Sequence, residues 1–296
     1  MAASHVGMIG LGIMGSAMAA GLMRAGFEVD GYDVLPAAAR RLERGGGAAH
    51  SSVVGVARAA RCLITSLPSG RSLLLACSAI ARAGRRNLVV VETSTLPLDV
   101  KERARRILAR AGIALLDCPL SGTGAQAKTG DLAVYASGSA AAYRRILPVL
   151  EAFSRAQYYL GAFGNGSKMK FAANLLVAIH NASAAEAIVL ARRAGLSARK
   201  AVAILGDGAG ASRMLQVRGP MMARRRYTPA TMKNEVWQKD MKIIAAFARA
   251  LRSPTPLFDA SKPVYREALR RGFAKADTAA VAAVLERRAL RPPARR

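Results

Sequence analysis

The first half of the chain alternates short apolar runs with segments that have the apolar spacing of helices. The apolar runs predict strands at 5–9, 29–32, 62–67, 88–93, 113–117, 132–137 and 157–160. Strands that alternate with helices indicate a parallel, doubly wound sheet, whose ligands bind beyond the carboxyl ends of the strands. Four residues fall at such ends: Leu67, Pro68, Thr95 and Ser121.

After Gly161 the pattern changes to helical periodicity, with no segment typical of a strand. It predicts helices at 167–194, 198–205, 213–224, 231–251, 255–271 and 277–289. We therefore expect an α/β domain over residues 1–163 and an all-α domain over residues 164–296, joined through a long central helix. Ser167 and Asp277 are expected to cap helices, Gly195 to end the long helix, and the tail 291–296 to be disordered.

The composition is that of a globular protein, because 52% of the 296 residues are hydrophobic and can bury a large core. The run 171–190 is apolar enough to raise the question of a membrane span, but several polar residues interrupt it and we interpret it as a buried helix. No basic leader or cleavage site precedes the first strand. We expect a cytoplasmic protein with no membrane partner.

The cysteines and histidines predict no cross-link and no metal site. Cys62, Cys77 and Cys118 are odd in number and form no C-x-x-C pair, which argues against a disulfide framework and a structural zinc site. Cys118 is expected to be a small core residue. The three histidines are scattered along the sequence, without the spacing of metal ligands.

The formal charge of +27 and the pI near 11.4 raise nucleic acid as a partner. The positive charge is spread along the chain, however, and arginine recurs beside alanine in helical segments. This is typical of a general compositional bias, and we expect no nucleic-acid partner. Such a surface would steer anionic ligands toward the protein.

A glycine-rich segment follows directly on the first predicted strand. It reads Gly10-Leu11-Gly12-Ile13-Met14-Gly15, and a helical segment begins within it. A G-x-G-x-x-G between a strand and a helix is the fingerprint of a dinucleotide-binding, Rossmann-type domain. We expect Gly10 to make the tight turn, Gly12 to let a pyrophosphate approach the backbone, and Gly15 to allow the helix to pack closely on the strand.

Asp33 ends the second predicted strand, about 20 residues beyond the glycines. A carboxylate there can accept hydrogen bonds from both hydroxyls of an adenosine ribose and would repel a 2′-phosphate, which favours NAD over NADP. Arg40 and Arg41 follow soon afterwards and keep NADP as the alternative.

The long helix carries two lysines near its start. Lys170 and Asn174 are four residues apart and share a helix face, whereas Lys168 points to the opposite side. On this segment alone, Lys170 could be an ordinary lysine at a helix end. A lysine held beside a substrate hydroxyl could also act as a general acid or base.

Four separated motifs resemble those of the β-hydroxyacid dehydrogenase family, of which 3-hydroxyisobutyrate dehydrogenase is the best-known member. The glycine loop is similar to the family's cofactor loop, and Lys239-Asp240 is similar to its cofactor-closing pair. The family's substrate segment resembles Asp117-Cys118-Pro119-Leu120-Ser121-Gly122-Thr123. Its catalytic helix resembles the stretch from Gly164 through Asn174. The resemblance covers almost the whole chain. It implies an NAD(P)-dependent oxidoreductase that transfers a hydride between a nicotinamide and a small 3-hydroxy acid, and it implies a homodimer or homotetramer.

The resemblance also implies roles for particular residues. Lys170 would move the hydroxyl proton, Asn174 would hold the hydroxyl or the lysine, and Ser121 would bind the substrate carboxylate with the amides of Gly122 and Thr123. The implied cofactor contacts are Gly10, Leu11, Gly12, Ile13, Met14, Gly15, Asp33, Leu67, Pro68, Thr95 and Lys239.

The chain departs from the family pattern at two positions. Thr123 stands where the family usually has a glycine, and Ala173 stands where it has the first of two asparagines. The departure at Thr123 leaves the substrate open, including an acid more polar than hydroxyisobutyrate. Two alternatives remain. One is an imine or short-aldehyde reductase on the same scaffold, and the other is a non-catalytic relative that binds a dinucleotide or nucleic acid.

Overall fold

The computed structural model describes residues 5–290 of the chain. The chain divides into two compact units, Met1–Lys170 and Phe171–Arg296. The division falls inside one helix, so the backbone passes from the first unit to the second without a loop. The predicted disordered tail, 291–296, lies outside the described residues.

The first unit contains a six-stranded parallel sheet with the strand order β3-β2-β1-β4-β5-β6. Its strands are β1 (His5–Ile9), β2 (Glu28–Tyr32), β3 (Ala48–Ala49), β4 (Cys62–Thr65), β5 (Val89–Glu92) and β6 (Ala114–Asp117). The connecting helices are α1 (Ile13–Arg24), α2 (Pro36–Arg44), α3 (Val53–Ala59), α4 (Gly70–Arg82) and α5 (Leu98–Ala109). This is the predicted doubly wound Rossmann-type sheet, and the fold class is confirmed.

Alternate residues of the central strands enter two separate cores. Met8 and Val91 belong to one buried apolar cluster, whereas Ile9 and Val90 belong to the other. Successive side chains of a strand point to opposite faces of the sheet, so helices cover the sheet on both faces.

A second, three-stranded sheet follows, built from β7 (Leu120–Ser121), β8 (Ala133–Ala136) and β9 (Ala156–Tyr159), with α6 (Gly124–Lys128) and α7 (Ala140–Glu151) between its strands. The expectation that the strands at 132–137 and 157–160 extend the parallel sheet is therefore wrong. An antiparallel bridge between Asp117 and Ser137 joins β8 to the end of β6, and β8 also runs antiparallel to β7. Because β8 runs antiparallel to both β6 and β7, the chain reverses between β7 and β8. Strand β8 therefore runs against the parallel strands and belongs to a separate sheet.

The second unit is helical, apart from an isolated antiparallel bridge, throughout the part that the structure describes. Its helices are α8 (Asn165–Arg193), which begins in the first unit, α9 (Ala198–Asp207), α10 (Arg213–Ala223), α11 (Asn234–Ala250), α12 (Pro256–Arg270), a 3-10 turn (Thr278–Ala280) and α13 (Val281–Ala289). Gly195 ends α8 with a φ of 80°, and the Leu196 N–H donates to Ala191 O at 2.9 Å. This is the predicted left-handed glycine stop.

Helix α8 is buried along one face only. By length and composition alone it is apolar enough to cross a membrane, with a mean hydropathy of 1.4, but only 44% of its apolar window is buried. The interpretation of α8 as a buried helix therefore holds for the face that carries residues such as Phe171, Asn174 and Ala178.

Asp277 joins three segments of the helical unit from a fully buried position. Its carboxylate accepts from the Thr231 N–H at 2.7 Å, from the Thr231 hydroxyl at 2.6 Å and from the Met232 N–H at 3.0 Å. It also accepts from the Ala279 N–H at 2.9 Å, which is the predicted cap, and from Arg218 Nε at 3.2 Å. One side chain thus fastens α10, the segment before α11 and the 3-10 turn.

Candidate active site

The glycine loop between β1 and α1 has three glycines with different surroundings. Gly10 has a φ of 93°, and a Cβ there would lie 2.3 Å from Ser66 O. A Cβ on Gly15 would lie 1.9 Å from Gly10 O, so the first turn of α1 packs directly on the turn that leaves β1. A Cβ on Gly12 would meet no atom within 4 Å. The backbone at Gly12 is therefore open to approach, whereas Gly10 and Gly15 are required by packing.

Asp33 fastens this loop to the end of β2. Its carboxylate accepts from the Leu11 N–H at 2.7 Å and from the Leu35 N–H at 2.8 Å. Two carboxylate oxygens offer about four acceptor positions, so Asp33 retains the capacity to accept from a ligand hydroxyl. The Arg41 guanidinium lies beside the same loop and donates to Leu11 O at 3.5 Å. An acidic and a basic side chain thus border the loop together.

The loops after β4 and β5 are tied to each other. The Leu67 N–H donates to the Ser94 hydroxyl at 2.8 Å, and the Ser94 N–H donates to Glu92 Oε1 at 2.9 Å. Leu67 and Thr95 are half-buried and Pro68 is exposed. These predicted cofactor residues lie at the carboxyl edge of the parallel sheet, as the glycine loop does.

The predicted substrate segment forms β7 and the start of α6. Gly122 has a φ of 142°, and a Cβ there would lie 2.5 Å from Leu132 Cδ2, so the position requires glycine. A Cβ on Gly124 would lie 2.5 Å from Ile13 Cγ2. The segment that follows Ser121 therefore packs against the first residue of α1 and brings the predicted substrate and cofactor residues of this unit close together.

Thr123 caps α6. Its hydroxyl accepts from the Gln126 N–H at 3.4 Å, and its own N–H donates to Gln126 Oε1 at 3.0 Å, which is a reciprocal capping box. The Gln126 amide then donates to Asp131 Oδ2 at 3.0 Å. The amide of Thr123, which the sequence analysis expects to bind a carboxylate, is engaged within the protein.

A charged cluster lies buried beneath this edge of the sheet. Lys101 Nζ lies 2.6 Å from Glu92 Oε2 and 2.7 Å from Asp117 Oδ1, and all three side chains are 0% exposed. Burial opposes the charged form of the lysine, but the carboxylates of Asp117 and Glu92 outweigh it and raise the pKa of Lys101 above its ordinary value. Lys101 therefore keeps its positive charge at this buried position.

Sequence reasoning missed Glu92 and Lys101. A signal was present, because Lys101 stands in register with Ala104 and Leu108 on the buried face of α5. A lysine at such a position has to find buried partners.

The prediction that Ser167 caps the long helix is wrong. Helix α8 begins two residues earlier, at Asn165, and Ser167 lies inside its first turn. The Ser167 hydroxyl donates to Asp117 Oδ1 at 2.8 Å instead of accepting from the helix backbone, and the Ser167 N–H donates to Asp117 Oδ2 at 2.7 Å. The acceptor for this helix end therefore comes from a residue 50 positions away.

The two lysines of α8 differ in their surroundings. Lys168 is exposed, and its Nζ donates to Asn165 Oδ1 at 3.1 Å. Lys170 is half-buried and is the last residue of the first unit. The following turn of the same helix carries Asn174, which belongs to the second unit.

Asn174 is held in one orientation by its neighbours in the helical unit. It is 3% exposed, and its Nδ2 donates to Asp240 Oδ2 at 3.0 Å. A carboxylate accepts and does not donate, so this contact fixes which end of the amide faces Asp240. Lys239 Nζ lies 3.2 Å from Asp240 Oδ1, and these three predicted residues therefore form one group.

The cysteines carry no reactive thiolate. All three are free and buried, and burial raises the pKa of Cys62 and of Cys77 to about 12. Burial, with the Asp117 carboxylate nearby, raises the pKa of Cys118 well above its ordinary value. Cys118 stays protonated and packs in the core. Within residues 5–290, no group of three or more histidine, cysteine, aspartate or glutamate side chains could hold a metal ion.

Both units match known family models. Residues 5–161 match the NAD binding domain of 6-phosphogluconate dehydrogenase. Residues 164–285 match the model described as NAD-binding of NADP-dependent 3-hydroxyisobutyrate dehydrogenase.

Full-length relatives agree with these matches. The chain is 32% identical to L-threonate dehydrogenase from Cupriavidus necator over 94% of each chain. The structure of 3-hydroxyisobutyrate dehydrogenase from Salmonella typhimurium superimposes with a TM-score of 0.86 at 31% identity, over 95% of this chain and 99% of that one. The structure of 3-hydroxyisobutyrate dehydrogenase from Mycobacterium tuberculosis with L-serine gives a TM-score of 0.86 at 26% identity, over 96% and 99% of the two chains.

The family predicted from the four motifs is thereby confirmed. The matches extend over both units and over nearly the full length of the relatives. The chain is an NAD(P)-dependent oxidoreductase and belongs to the β-hydroxyacid dehydrogenase family.

Proposed function

We propose that this protein is an NAD-dependent dehydrogenase of a small, polar hydroxy acid, with Lys170 as its general acid and base. The names of the relatives support the substrate class. Threonate and 3-hydroxyisobutyrate are four-carbon hydroxy carboxylates, and L-serine is a three-carbon one with an amino group. Two of these three molecules carry a polar substituent beside the carboxylate. We therefore favour an acid more polar than hydroxyisobutyrate.

The glycine loop fits a dinucleotide. The open backbone at Gly12 leads into α1, whose amino-terminal N–H groups have no side-chain cap and are suited to a pyrophosphate. Asp33 would accept from the ribose hydroxyls, and its negative charge favours NAD over NADP. A bound nicotinamide supplies the hydride chemistry, and the chain supplies orientation and proton handling.

The observation that carries the catalytic assignment is the buried Asn174, with its amide oriented by Asp240, one helical turn after Lys170. Its Nδ2 is engaged, so its Oδ1 is the end that remains for a substrate hydroxyl or for Lys170. Lys170 would take the hydroxyl proton in oxidation and return it in reduction.

The proposed carboxylate contacts are the Ser121 hydroxyl and the backbone of Gly122. Thr123 would support them indirectly, since its capping box fixes the start of α6. This revises the expectation that Thr123 binds the carboxylate with its own amide.

The experiment is a panel of hydroxy acids, including threonate, 3-hydroxyisobutyrate and serine, assayed at the nicotinamide absorbance band with NAD and NADP in parallel. We expect turnover of at least one polar acid with NAD, and no turnover of the matching alcohol that lacks the carboxylate. Equal turnover of acid and alcohol would contradict the proposed substrate class.

A homo-oligomer is also part of the proposal. Leu176 and Leu190 are 50% and 72% exposed, and they lie four helical turns apart on one face of α8. Exposed leucines repeated on one helix face are typical of an interface, and we expect a second copy of the chain to cover them. Light scattering after gel filtration should give a dimer or tetramer, and a monomer at micromolar concentration would refute this.

A further inference from the structure

The helix that carries Lys170 has its first turn fastened to the end of β6. The Ser167 N–H and hydroxyl both donate to the Asp117 carboxylate, at 2.7 Å and 2.8 Å. The Gly166 N–H donates to the Ser137 hydroxyl at 2.9 Å. Three donors of one helical turn therefore end on two buried side chains of the α/β unit.

The contact between this turn and the sheets is too close to admit a side chain. A Cβ on Gly166 would lie 2.2 Å from Tyr135 O and 2.7 Å from Asp117 O. The backbone of the first turn thus rests on the carbonyl groups at the ends of β6 and β8. Such packing leaves α8 little freedom to slide while the hydrogen bonds are intact.

The charge of the buried cluster suits a helix amino terminus. Lys101 Nζ lies between the carboxyl groups of Glu92 and Asp117, and all three side chains are 0% exposed. Of the two carboxyl groups, Asp117 receives the Ser167 N–H and hydroxyl at the start of α8. The amino terminus of a helix carries the equivalent of roughly half a positive charge, so a carboxylate acceptor at that end stabilises it.

Asp117 is also joined to the predicted substrate segment. It ends β6, and Ser121 follows it by four residues through Cys118 and Pro119. One carboxylate therefore fixes the position from which the Ser121 segment leaves the sheet and the position from which the Lys170 helix begins.

We propose that the buried Lys101–Glu92–Asp117 cluster, acting through Ser167 and Ser137, is a positioning device that sets the distance between Lys170 and the Ser121 segment. The proposal rests on the proposed function, because it assumes that Lys170 and Ser121 meet the same substrate. Lys101 orients Asp117, Asp117 receives Ser167, and Ser167 fixes the turn that precedes Lys170. None of the cluster residues touches the substrate in this scheme.

Ser167→Ala is the central variant, since it removes one hydroxyl bond and leaves the charges in place. We expect kcat to fall by about 10- to 100-fold, as small misplacements of a reacting group do. The dissociation constant for NAD, measured by fluorescence titration, should be unchanged. Amide hydrogen exchange should become faster in residues 164–170 and stay unchanged in the strands of the parallel sheet.

Ser154→Ala is the matched control. Ser154 is also a buried serine of the same unit, and its hydroxyl donates to Leu150 O at 2.6 Å, away from α8. We expect it to keep the wild-type kcat. An equal decrease in kcat in Ser167→Ala and Ser154→Ala would overturn the proposal, because removing any buried hydroxyl would then have the same effect.

A double-mutant cycle with Lys170→Ala separates positioning from general destabilisation. If Ser167 acts through Lys170, then Ser167→Ala should change kcat by less than about twofold once Lys170 is gone. Fully additive losses would overturn the positioning role while leaving the proposed function intact. A Lys170→Ala variant with wild-type kcat would refute the proposed function itself, so the two failures are distinguishable.

Discussion

Replacement of Asp277 by asparagine is expected to destabilise the helical unit strongly. Asp277 is 0% exposed and accepts hydrogen bonds from three separate segments, and its ionic partner Arg218 is 3% exposed. The substitution keeps the shape of the side chain but removes its charge. It also turns an amide donor toward groups that are themselves donors, either the Thr231 N–H and hydroxyl or the Arg218 guanidinium.

The expected loss follows from the burial of this pair. Removing one partner of a buried ion pair costs about 3–5 kcal/mol, because the other charge stays buried without compensation. For a unit of this size, the same loss lowers the melting temperature by about 10–20 °C. Asp259→Asn is the control: Asp259 pairs with Lys262 on the surface, and exposed pairs contribute little.

The effect should depend on pH in a defined direction. Burial by itself raises the pKa of Asp277, but the Arg218 guanidinium, the Thr231 hydroxyl and two backbone N–H groups outweigh it and lower the pKa below its ordinary value. A carboxylate with a lowered pKa stabilises the folded state fully above its unfolded pKa of about 3.9 and loses that contribution as the pH falls through the folded value. The difference in the free energy of unfolding between wild type and Asp277→Asn should therefore be largest near neutral pH and should decrease below about pH 4.

Trp237 provides the assay. It is the single tryptophan of the chain, it is 2% exposed, and it lies in α11 of the helical unit, 6.4 Å between ring centroids from Tyr265. Urea titrations followed by its fluorescence therefore report on that unit. A decrease in the free energy of unfolding of less than about 1 kcal/mol at pH 7 would refute the reasoning, because it is well below the range for a broken buried ion pair. A stability difference between wild type and Asp277→Asn that stays constant down to about pH 3 would refute it as well.

Three further predictions concern the site. Lys170→Ala should lower kcat by at least about 10²-fold in a steady-state assay. Lys170→Arg should not restore activity, because a guanidinium stays protonated. Lys168→Ala, on the exposed face, should keep most activity in the same assay. Asp33→Ala should narrow the preference for NAD, and a wild type that already prefers NADP tenfold would contradict the role of Asp33. Ser121→Ala should raise KM for the acid and leave NAD binding unchanged, as measured by titration; an unchanged KM would count against the carboxylate contact.

The sequence by itself determined the family and most of the elements, although it did not predict the two-residue strands β3 and β7. Strand β1 and the glycine loop were predictable because a buried parallel strand is a short apolar run, and because Gly10 has a positive φ that side chains disfavour. The helices of the second unit were predictable within about three residues, apart from the turn that precedes α13, because their apolar spacing is local. The motifs kept their order and spacing over nearly the whole chain, and the family followed from that.

The tertiary structure decided what depends on residues far apart in the chain. The three-stranded sheet exists because the chain reverses between β7 and β8, which the apolar pattern of 132–137 does not encode. Ser167 has the sequence of a helix cap, yet its hydroxyl donates to Asp117, 50 residues earlier. The register of Lys101 with Ala104 and Leu108 places it on the inner face of its helix, but the two carboxyl groups that flank it come from other elements. Local patterns specify which side chains face inward, whereas the partner of each buried charge is set only when distant segments pack together.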